Sequence, residues 1–564
     1  MKTKKLLALG LSGILAAGCL AGCGNSEGSQ GAGTPDASAS ETAGGANEQA
    51  PADGADTGSE DGTASDAGNS DAADGNGASG GDGAYNVTWE DQAEIKLVFM
   101  SAGAIPSGLA EVEDAINEIT ESKINTHVSL EMIEMGNYIQ QVSLKMSSSE
   151  PVDILLTFPG GAANFSTMAT QNQLMDITDL LPEYGQGIVD TVGDYLAATT
   201  IEGAVYGIPV YRDLSTNLYV NMRTDVLEDL GILEQFENMQ SLKDLEPILE
   251  AVKSSEKWSY LACLAPATGN GSVLVNSGGF PGLDSFDNNI TYDTLGSADV
   301  LAIDPTGADP EVKLMAALDE YKELYELTHD WYEKGYVYKD SATDKETAQN
   351  LIKADKLLGC LMAGEVSSIA TTEATIGMPM SAVKLLSLPI TTGSCTKFTW
   401  AVPNTSKYPE AAVTFLNMMY TDPEINNLLS WGIEGRDYVV EDNIAKYPEG
   451  VTEAPYHSAD FITGNQFLVV PWEGSDLDIR QQSLDAMADS EISVYLGFTC
   501  DTTAVSNEVA AVTNVVAEYG PQINSGIAEP QVLDDYLNKL SDVNIQKIID
   551  EYQNQLDAWV AANK

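Results

Sequence analysis

Along the first part of the folded chain, apolar runs of strand length alternate with stretches whose apolar residues recur at helical spacing. The pattern predicts strands at residues 95–100, 128–132 and 152–156, with helices around 109–119 and 138–146. This β-α-β-α-β order predicts a parallel sheet with right-handed crossovers. Ligands of such sheets gather at the carboxyl ends of the strands. We therefore expect the loops 101–108 and 157–164 to face a cleft.

The segment 203–221 interrupts this pattern and is interpreted as a crossing between two lobes. A short strand is ended by Pro209, which donates no ladder hydrogen bond, and an alternating apolar strand restarts a few residues later. Between the two strands lie Tyr211, Arg212 and Asp213, which supply an aromatic face, a guanidinium and a carboxylate. Such side chains suit a hinged ligand cleft. The alternative is an ordinary loop in which Arg212 and Asp213 pair with each other.

After the crossing, the pattern predicts a second set of elements. Strands are expected at 357–362, 385–389 and 398–402, and helices at 222–230, 242–252, 312–334, 409–420, 423–429, 532–540 and 543–562. Trp331 belongs to the apolar stripe of its helix and is interpreted as core. Strand alternation puts Trp400 on one face with Phe398 and Val402, so Trp400 is either buried or a ligand contact.

The amino terminus has the composition of a secretory signal. Residues 1–22 carry lysines, then an apolar stretch too short to cross a bilayer, then small residues. The sequence LAGC, ending at Cys23, resembles the lipobox of bacterial lipoproteins and implies a lipidated Cys23 at the mature terminus. Residues 23–84 are mainly Gly, Ala, Ser, Asn and Asp, without basic or aromatic side chains. They cannot bury enough apolar surface to fold, so we expect a disordered acidic tether.

The charge balance excludes two classes of partner. The 564 residues include 85 acidic and 27 basic ones, for a formal net charge of −58 at pH 7. Such a surface repels nucleic acid and anionic membrane, so the lipid is the only membrane contact that we expect. The three histidines are scattered and no CxxC pair occurs, so neither a metal nor a cofactor is expected. Spacing does not determine whether the later cysteines pair: Cys263, Cys360, Cys395 and Cys500.

Two series of motifs carry a resemblance to a known family. VDILLTFPGGAANFSTMATQNQLMDITDLLPEYG and VYGIPVYRDLSTNLYVNMRTDVLEDLGI resemble the family 1 extracellular solute-binding proteins of carbohydrate ABC importers. WGIEGRDYVV, GNQFLVVPWEG and YLGFTCDTTAVSNEVAAVTNVVAEYGP are similar to the LipO-type lipoprotein branch, whose carboxyl-terminal domain was long of unknown function. The resemblance covers nearly all of residues 95–564. It implies an α/β, two-lobe, periplasmic-binding-protein-like (type II) fold with hinge crossings and a carboxyl-terminal α-rich addition.

The same resemblance implies the domain boundaries. Residues 85–430 are expected to form the two-lobed solute-binding domain. Its first lobe would span about 85–208 plus 398–430, and its second lobe about 214–390. Residues 431–564 are expected to form the LipO-type carboxyl-terminal domain.

Position within the matched motifs selects candidate ligand-binding residues. Aromatic rings stack on sugar faces, while charged and amide side chains hydrogen-bond to hydroxyls. The candidates around the predicted cleft are Phe158, Asn164, Tyr211, Arg212, Asp213, Met362, Glu365 and Trp400. Further candidates toward the carboxyl terminus are Trp431, Arg436 and Trp472. Arg436 would either clamp a uronate carboxylate or only fix the carboxyl-terminal domain.

The sequence thus predicts a receptor and not an enzyme. The receptor would capture an oligosaccharide between two lobes and deliver it to the permease subunits of an ABC importer. We expect a monomer, held by its lipid on the outer face of the cytoplasmic membrane of a Gram-positive-type bacterium. Two alternatives stay open. One is a receptor for peptides. The other is a cell-surface enzyme acting on polysaccharide, which would need two suitably spaced carboxylates, with Asp213 and Glu473 as the candidates.

Overall fold

The computed structural model describes residues 85–266, 272–274 and 277–563. The predicted signal, Cys23 and the acidic tether lie outside these residues. Within the described ranges, no helix combines the length and the apolar character that a bilayer crossing requires.

Two larger β-sheets organise the described chain. Their strands, in chain order, are β1 (Ala93–Ser101), β2 (Thr126–Glu134), β3 (Ile154–Thr157), β4 (Ile208–Pro209), β5 (Thr216–Arg223), β6 (Ala262–Ala265), β7 (Leu357–Gly364), β8 (Met380–Leu388) and β9 (Thr399–Ala401). The first sheet has the order β2-β1-β3-β9-β4, and the second has the order β8-β5-β7-β6. The first sheet therefore contains β1 to β4, which precede the crossing, and β9, with which the chain returns from the second sheet.

The first sheet carries the parallel arrangement that the sequence predicts. β1 runs parallel to both β2 and β3, with Leu97 opposite Leu130 on one side and Ile154 on the other. Leu97 and Val98 are both fully buried, because helices cover the two faces of this sheet. The helix Pro423–Trp431 begins as predicted, with the Asp422 side chain accepting from the Glu424 amide.

The second sheet is mixed. β5 runs antiparallel to β7 and β8, while β7 runs parallel to β6. The predicted helix 312–334 is wrong in its first turns: Lys313–Leu314 is a short strand paired with Leu301–Ala302, and the helix spans Asp319–Glu333. Tertiary pairing overrides the helical pattern here, since the Met315 amide donates to the Val300 carbonyl at 2.9 Å. Trp331 is fully buried, as expected for a core residue.

Most of the remaining chain is helical. The predicted helix 222–230 begins later than expected, at Thr224, because β5 continues through Arg223. After the helix, Gly231 has the positive φ of 66° that is typical of a glycine ending a helix. The described α-helices are Leu109–Ile124, Met135–Ser148, Phe165–Thr170, Leu181–Tyr184, Gln186–Val192, Thr224–Asp229, Leu233–Glu237, Leu245–Lys253, Asp319–Glu333, Ala348–Lys353, Ser368–Ile376, Thr392–Thr396, Pro409–Thr421, Pro423–Trp431, Ile479–Asp489, Ser506–Asn524, Pro530–Asp542 and Ile545–Asn563.

The chain after residue 430 packs against both lobes. Tyr456 and Ile462 belong to the core around the first sheet. The three terminal helices instead share a core with Leu301, Ile303 and Tyr325. In the sequence, these three residues lie between β6 and β7 of the second sheet. The Tyr325 hydroxyl donates to the Ala528 carbonyl at 2.8 Å and so links the two segments. Residues 431–563, which belong to the segment predicted as one domain, thus contribute to two cores.

The cysteines of the described chain carry free thiols. Cys263, Cys360 and Cys395 are buried, and Cys500 is half-buried. Burial raises the pKa of each of these thiols to about 12. Protonated, enclosed thiols react slowly, so we expect these cysteines to behave as small apolar residues.

Candidate functional site

The segment between β4 and β5 is a crossing from the first sheet to the second, as predicted. It is held along its length by residues from near the carboxyl terminus. The Tyr211 amide donates to the Gly464 carbonyl at 2.9 Å, and the Gln466 amide donates to the Tyr211 carbonyl at 2.9 Å. The Asp213 amide donates to the side-chain oxygen of Gln466 at 3.2 Å. The backbone of this crossing is therefore fixed by hydrogen bonds to residues 464–466, although it belongs to neither sheet.

Arg212 and Glu365 form an ion pair at this crossing. Arg212 is 5% exposed, and its guanidinium donates to the carboxylate of Glu365, which follows β7 in the second lobe. The guanidinium carbon also lies 5.7 Å from the ring centroid of Phe398, within cation–π range. Two residues that the sequence selected separately are thus in direct contact, and they join the crossing to the second lobe.

Asp213 has a different set of partners. One carboxylate oxygen accepts from the Ser215 amide at 3.0 Å and the Ser215 hydroxyl at 2.5 Å, and the other accepts from the Val366 amide at 3.3 Å. The alternative in which Arg212 and Asp213 pair with each other is therefore wrong. Burial raises the pKa of Asp213, the Ser215 hydroxyl opposes that rise, and the charge of Glu365 adds to it.

A row of aromatic rings borders the ion pair. Phe158 follows β3 and Phe398 precedes the antiparallel β9, so both rings lie at the carboxyl end of β3. The centroids of Phe158 and Phe398 are 6.2 Å apart, and those of Phe398 and Phe461 are 5.7 Å apart. Phe158 and Phe461 are half-buried, while Phe398 is buried. No pattern in the sequence distinguishes Phe461, because its place depends on packing between distant segments.

The loop after β1 leaves the sheet at the same edge as Phe158, because β1 and β3 are parallel neighbours. This loop, 101–108, carries no charged side chain, and its Ile105 is 47% exposed. Its end is tied down, since the Gly108 amide donates to the Pro455 carbonyl at 2.9 Å. A Cβ at Gly108 would lie 2.8 Å from Nη2 of Arg436, so only glycine fits without a shift.

Three of the selected cleft residues have structural partners instead of an open face. The Asn164 side chain caps the helix Phe165–Thr170 and accepts from the amides of Ser166 and Thr167 at 3.1 and 3.4 Å. Trp400 is 1% exposed, and its indole donates to the Thr463 carbonyl at 3.3 Å. Met362 is 8% exposed on β7.

The candidates nearer the carboxyl terminus lie together in a second aromatic cluster, formed by Trp431, Tyr447, His457 and Trp472. Trp431 stacks on His457 with the ring centroids 4.8 Å apart, and the ring centroids of Trp431 and Trp472 are 4.9 Å apart. Its indole donates to the Val470 carbonyl at 2.8 Å. Nearby, two nitrogens of Arg436 donate to the Asp437 carboxylate at 3.0 and 2.6 Å. These contacts join distant parts of residues 431–472 to one another.

The described residues include no group of three or more His, Cys, Asp or Glu side chains that could hold a metal ion. At the crossing, the polar groups are one guanidinium, two carboxylates, hydroxyls and backbone amides, bordered by aromatic rings. These are the chemical groups that hydrogen-bond to polar organic molecules and stack on their rings. The Arg212–Glu365 pair also connects the crossing to the second lobe.

Comparison with known proteins gives a match that covers more than half of the chain. A family model described as bacterial extracellular solute-binding protein matches residues 114–433. A model described as a domain of unknown function matches residues 494–561. Both agree with the resemblance that the motifs carry.

Individual relatives point the same way. A carbohydrate ABC transporter substrate-binding protein of Streptococcus pneumoniae is 24% identical over 481 residues, which are 84% of this chain and 92% of that protein. The crystal structure of the N-glycan transport solute binding protein NgtS from Streptococcus pneumoniae is similar with a TM-score of 0.69 at 22% identity, covering 84% of this chain and 100% of that one. An HMO-binding solute binding protein from Bifidobacterium longum infantis gives a TM-score of 0.55 at 15% identity, covering 83% and 99%. These structures confirm the predicted two-lobe fold.

Proposed function

Because the chain belongs to the family of bacterial extracellular solute-binding proteins, we propose that it captures an oligosaccharide between its two lobes and delivers it to the permease subunits of an ABC importer. The observation that carries this proposal is the ion pair between Arg212 on the crossing and Glu365 on the second lobe. A ligand that hydrogen-bonds to both groups would favour the closed arrangement of the lobes. Closure is then a shift of population driven by ligand contacts on both sides.

Two features support a carbohydrate rather than a peptide. The half-buried Phe158 ring lies next to Phe398, over which the Arg212 guanidinium packs, and Tyr211 is half-buried on the same crossing as Arg212. Sugars require such a combination of stacking surface and strong hydrogen bonds. The relatives described above are also named for carbohydrate transport and N-glycan transport. A peptide receptor has no observation in its favour here.

We assign ligand contact to Phe158, Tyr211, Arg212 and Glu365. Asp213 is 3% exposed and already accepts three hydrogen bonds, so its role is to hold the crossing against Val366. Asn164 and Trp400 are assigned to the framework, since one caps a helix and the other is enclosed in the core. Trp431, Arg436 and Trp472 are assigned to fixing the segment after residue 430.

The attachment to the membrane is also part of the proposal. The LAGC sequence at Cys23 supports lipidation, and the acidic segment 23–84 supports a tether that holds the receptor away from the outer face of the cytoplasmic membrane. Lasting attachment needs more than one acyl chain, which a lipoprotein anchor supplies. Globomycin treatment of expressing cells tests this: a precursor should accumulate, and Cys23→Ser should release the protein from the membrane fraction.

Thermal unfolding against a panel of oligosaccharides, with product analysis of every sample, tests the capture function. A ligand that binds only the native state raises the melting temperature by mass action. We expect a shift with at least one oligosaccharide class and no new products. Phe158→Leu should reduce that shift while leaving the melting temperature of the free protein within a few degrees. The appearance of products would instead favour a polysaccharide-acting enzyme, with Asp213 and Glu473 as the first carboxylates to test.

A further inference from the structure

The proposed ligand site combines one positively charged group with two acidic ones. The Arg212 guanidinium is engaged by Glu365, and the Asp213 carboxylate is engaged by three donors. The loops 101–108 and 157–164 at the edge of the first sheet add no charged side chain. The site therefore offers no unmatched positive charge from its guanidinium.

A second guanidinium lies close to the loop after β1, and it is neutralised as well. Arg436 makes two hydrogen bonds to Asp437, whose side chain is fully buried, and lies 4.0 Å from Glu111. A carboxylate that approached Arg436 would therefore meet two existing acidic partners. These partners argue against the uronate clamp that the sequence suggested for Arg436.

From these contacts we propose that the site selects uncharged oligosaccharides over those that carry carboxylates, and that Glu365 determines this selectivity. The inference rests on the proposed function and specifies its substrate class. A uronate carboxylate at Arg212 would compete with Glu365 for the guanidinium, and it would lie near the carboxylates of both Glu365 and Asp213. Neutral hydroxyls meet no such opposition.

Glu365 can serve a neutral sugar without giving up Arg212. Its side chain is 27% exposed, so part of the carboxylate faces solvent and can accept from a sugar hydroxyl. Hydrogen bonds to ionised acceptors are about twice as strong as those between neutral groups. The ion pair thus presents a strong acceptor to hydroxyls and a repulsive surface to anions.

The test compares pairs of oligosaccharides that differ only at C6. Oligomers of mannose, galactose and glucose are matched with equally long oligomers of the corresponding uronates, and affinities are measured by calorimetry. The long-range repulsion of a chain with net charge −58 would also weaken anion binding. Measurements at about 0.5 M NaCl, where the screening length is only about 4 Å, leave mainly the local effect.

For the unaltered protein we expect at least one neutral sugar to bind, and its uronate counterpart to bind at least tenfold more weakly. Glu365→Gln should bring this ratio toward one, because Arg212 becomes available to the carboxylate. Glu326→Gln is the matched control: it removes the same charge from an exposed position on the second lobe and should leave the ratio unchanged.

The outcomes separate the two proposals. Equal or tighter binding of the uronate by the unaltered protein would overturn the selectivity and leave the capture function standing. Binding of neither class would overturn the capture function and the selectivity with it. A ratio that Glu365→Gln leaves unchanged, in a variant that still unfolds cooperatively, would remove Glu365 as its determinant. If that variant does not fold, the ratio measured on the unaltered protein still decides the selectivity.

Discussion

The backbone amide of Asp213 donates a 3.2 Å hydrogen bond to the side chain of Gln466, which lies 253 residues later in the chain. The segment that carries Gln466 also reaches the second lobe. After Gln466, the helix Ile479–Asp489 follows, and Ser493 then donates to Asp293 in the second lobe at 2.7 Å. The crossing that carries Arg212 is therefore braced from outside by the segment that follows residue 463.

The brace makes Gln466 a test of how the crossing is held. Gln466→Met keeps the length of the side chain but removes the acceptor, so the buried Asp213 amide is left unsatisfied. We expect a loss of about 1–3 kcal/mol in the free energy of unfolding, measured by urea denaturation. Affinity for the oligosaccharide found in the thermal screen should also fall, since Arg212 is the neighbour of Asp213.

Gln481→Met is the matched control for this substitution. Gln481 is exposed and bonds only locally, to Asp485 at 2.8 Å. Its replacement should change the free energy of unfolding by less than about 0.5 kcal/mol. If both variants lost the same unfolding free energy, the hydrogen bond between Gln466 and Asp213 would contribute no more to stability than an exposed local bond.

Trp400 provides a way to separate framework from ligand contact. The ring is 1% exposed and packs 6.4 Å from Phe99, so Trp400→Phe leaves a gap in the core of the first lobe. We expect a loss of about 1–3 kcal/mol in unfolding free energy and an unchanged ligand affinity of the folded protein. Calorimetric titration below the melting transition measures the affinity. A tenfold weaker affinity would return Trp400 to the ligand-contacting set.

The aromatic cluster of Trp431, Tyr447, His457 and Trp472 makes the stability depend on pH. Burial lowers the pKa of His457 to about 4 from an ordinary 6.5. Between these values the unfolded chain binds more protons than the folded one, so stability falls as the pH drops from about 6.5 to about 4. The contribution of this one residue is at most about 3 kcal/mol.

His457→Phe removes the titrating group and keeps a ring in the cluster. Its unfolding free energy should decline less than that of the unaltered protein between pH 6.5 and pH 4. His127→Gln, at a position with a 33% exposed side chain, serves as the comparison variant. Suppose that the unfolding free energies of the unaltered protein and His457→Phe change with pH in parallel. Contact between the imidazolium and the rings of Trp431 and Trp472 would then compensate for the hydration that the charged ring loses on burial.

The sequence predicts local and near-local features of this fold well. The parallel order of β1, β2 and β3 follows from apolar runs separated by helical stretches, and the crossing follows from Pro209 and the strand after it. The contact between Arg212 and Glu365 was not predictable from spacing, although both residues were selected. Phe461 and Gln466 were missed for the same reason: their partners lie more than 50 and 250 residues away in the chain, so only tertiary packing brings them together.

The boundary near residue 430 gives the most direct test of how the lobes are completed. Tyr456 is fully buried in the first lobe, where its hydroxyl donates to the Leu429 carbonyl at 2.8 Å, and the Ser458 amide donates to the Ser430 carbonyl at 2.7 Å. A chain that ends at residue 430 would leave this space empty, and it would also uncover Leu301 and Ile303 in the second lobe.

We therefore expect residues 85–430 to bind a hydrophobic dye such as ANS and to show no cooperative unfolding in urea, whereas residues 85–564 unfold cooperatively. Removing the one segment opens an apolar core in each lobe. The free energy lost with a few large buried side chains equals the whole unfolding free energy of a typical domain. Cooperative unfolding of the shorter chain, with the same response to oligosaccharides, would show instead that the first 430 residues complete both cores by themselves and that the later helices are an addition.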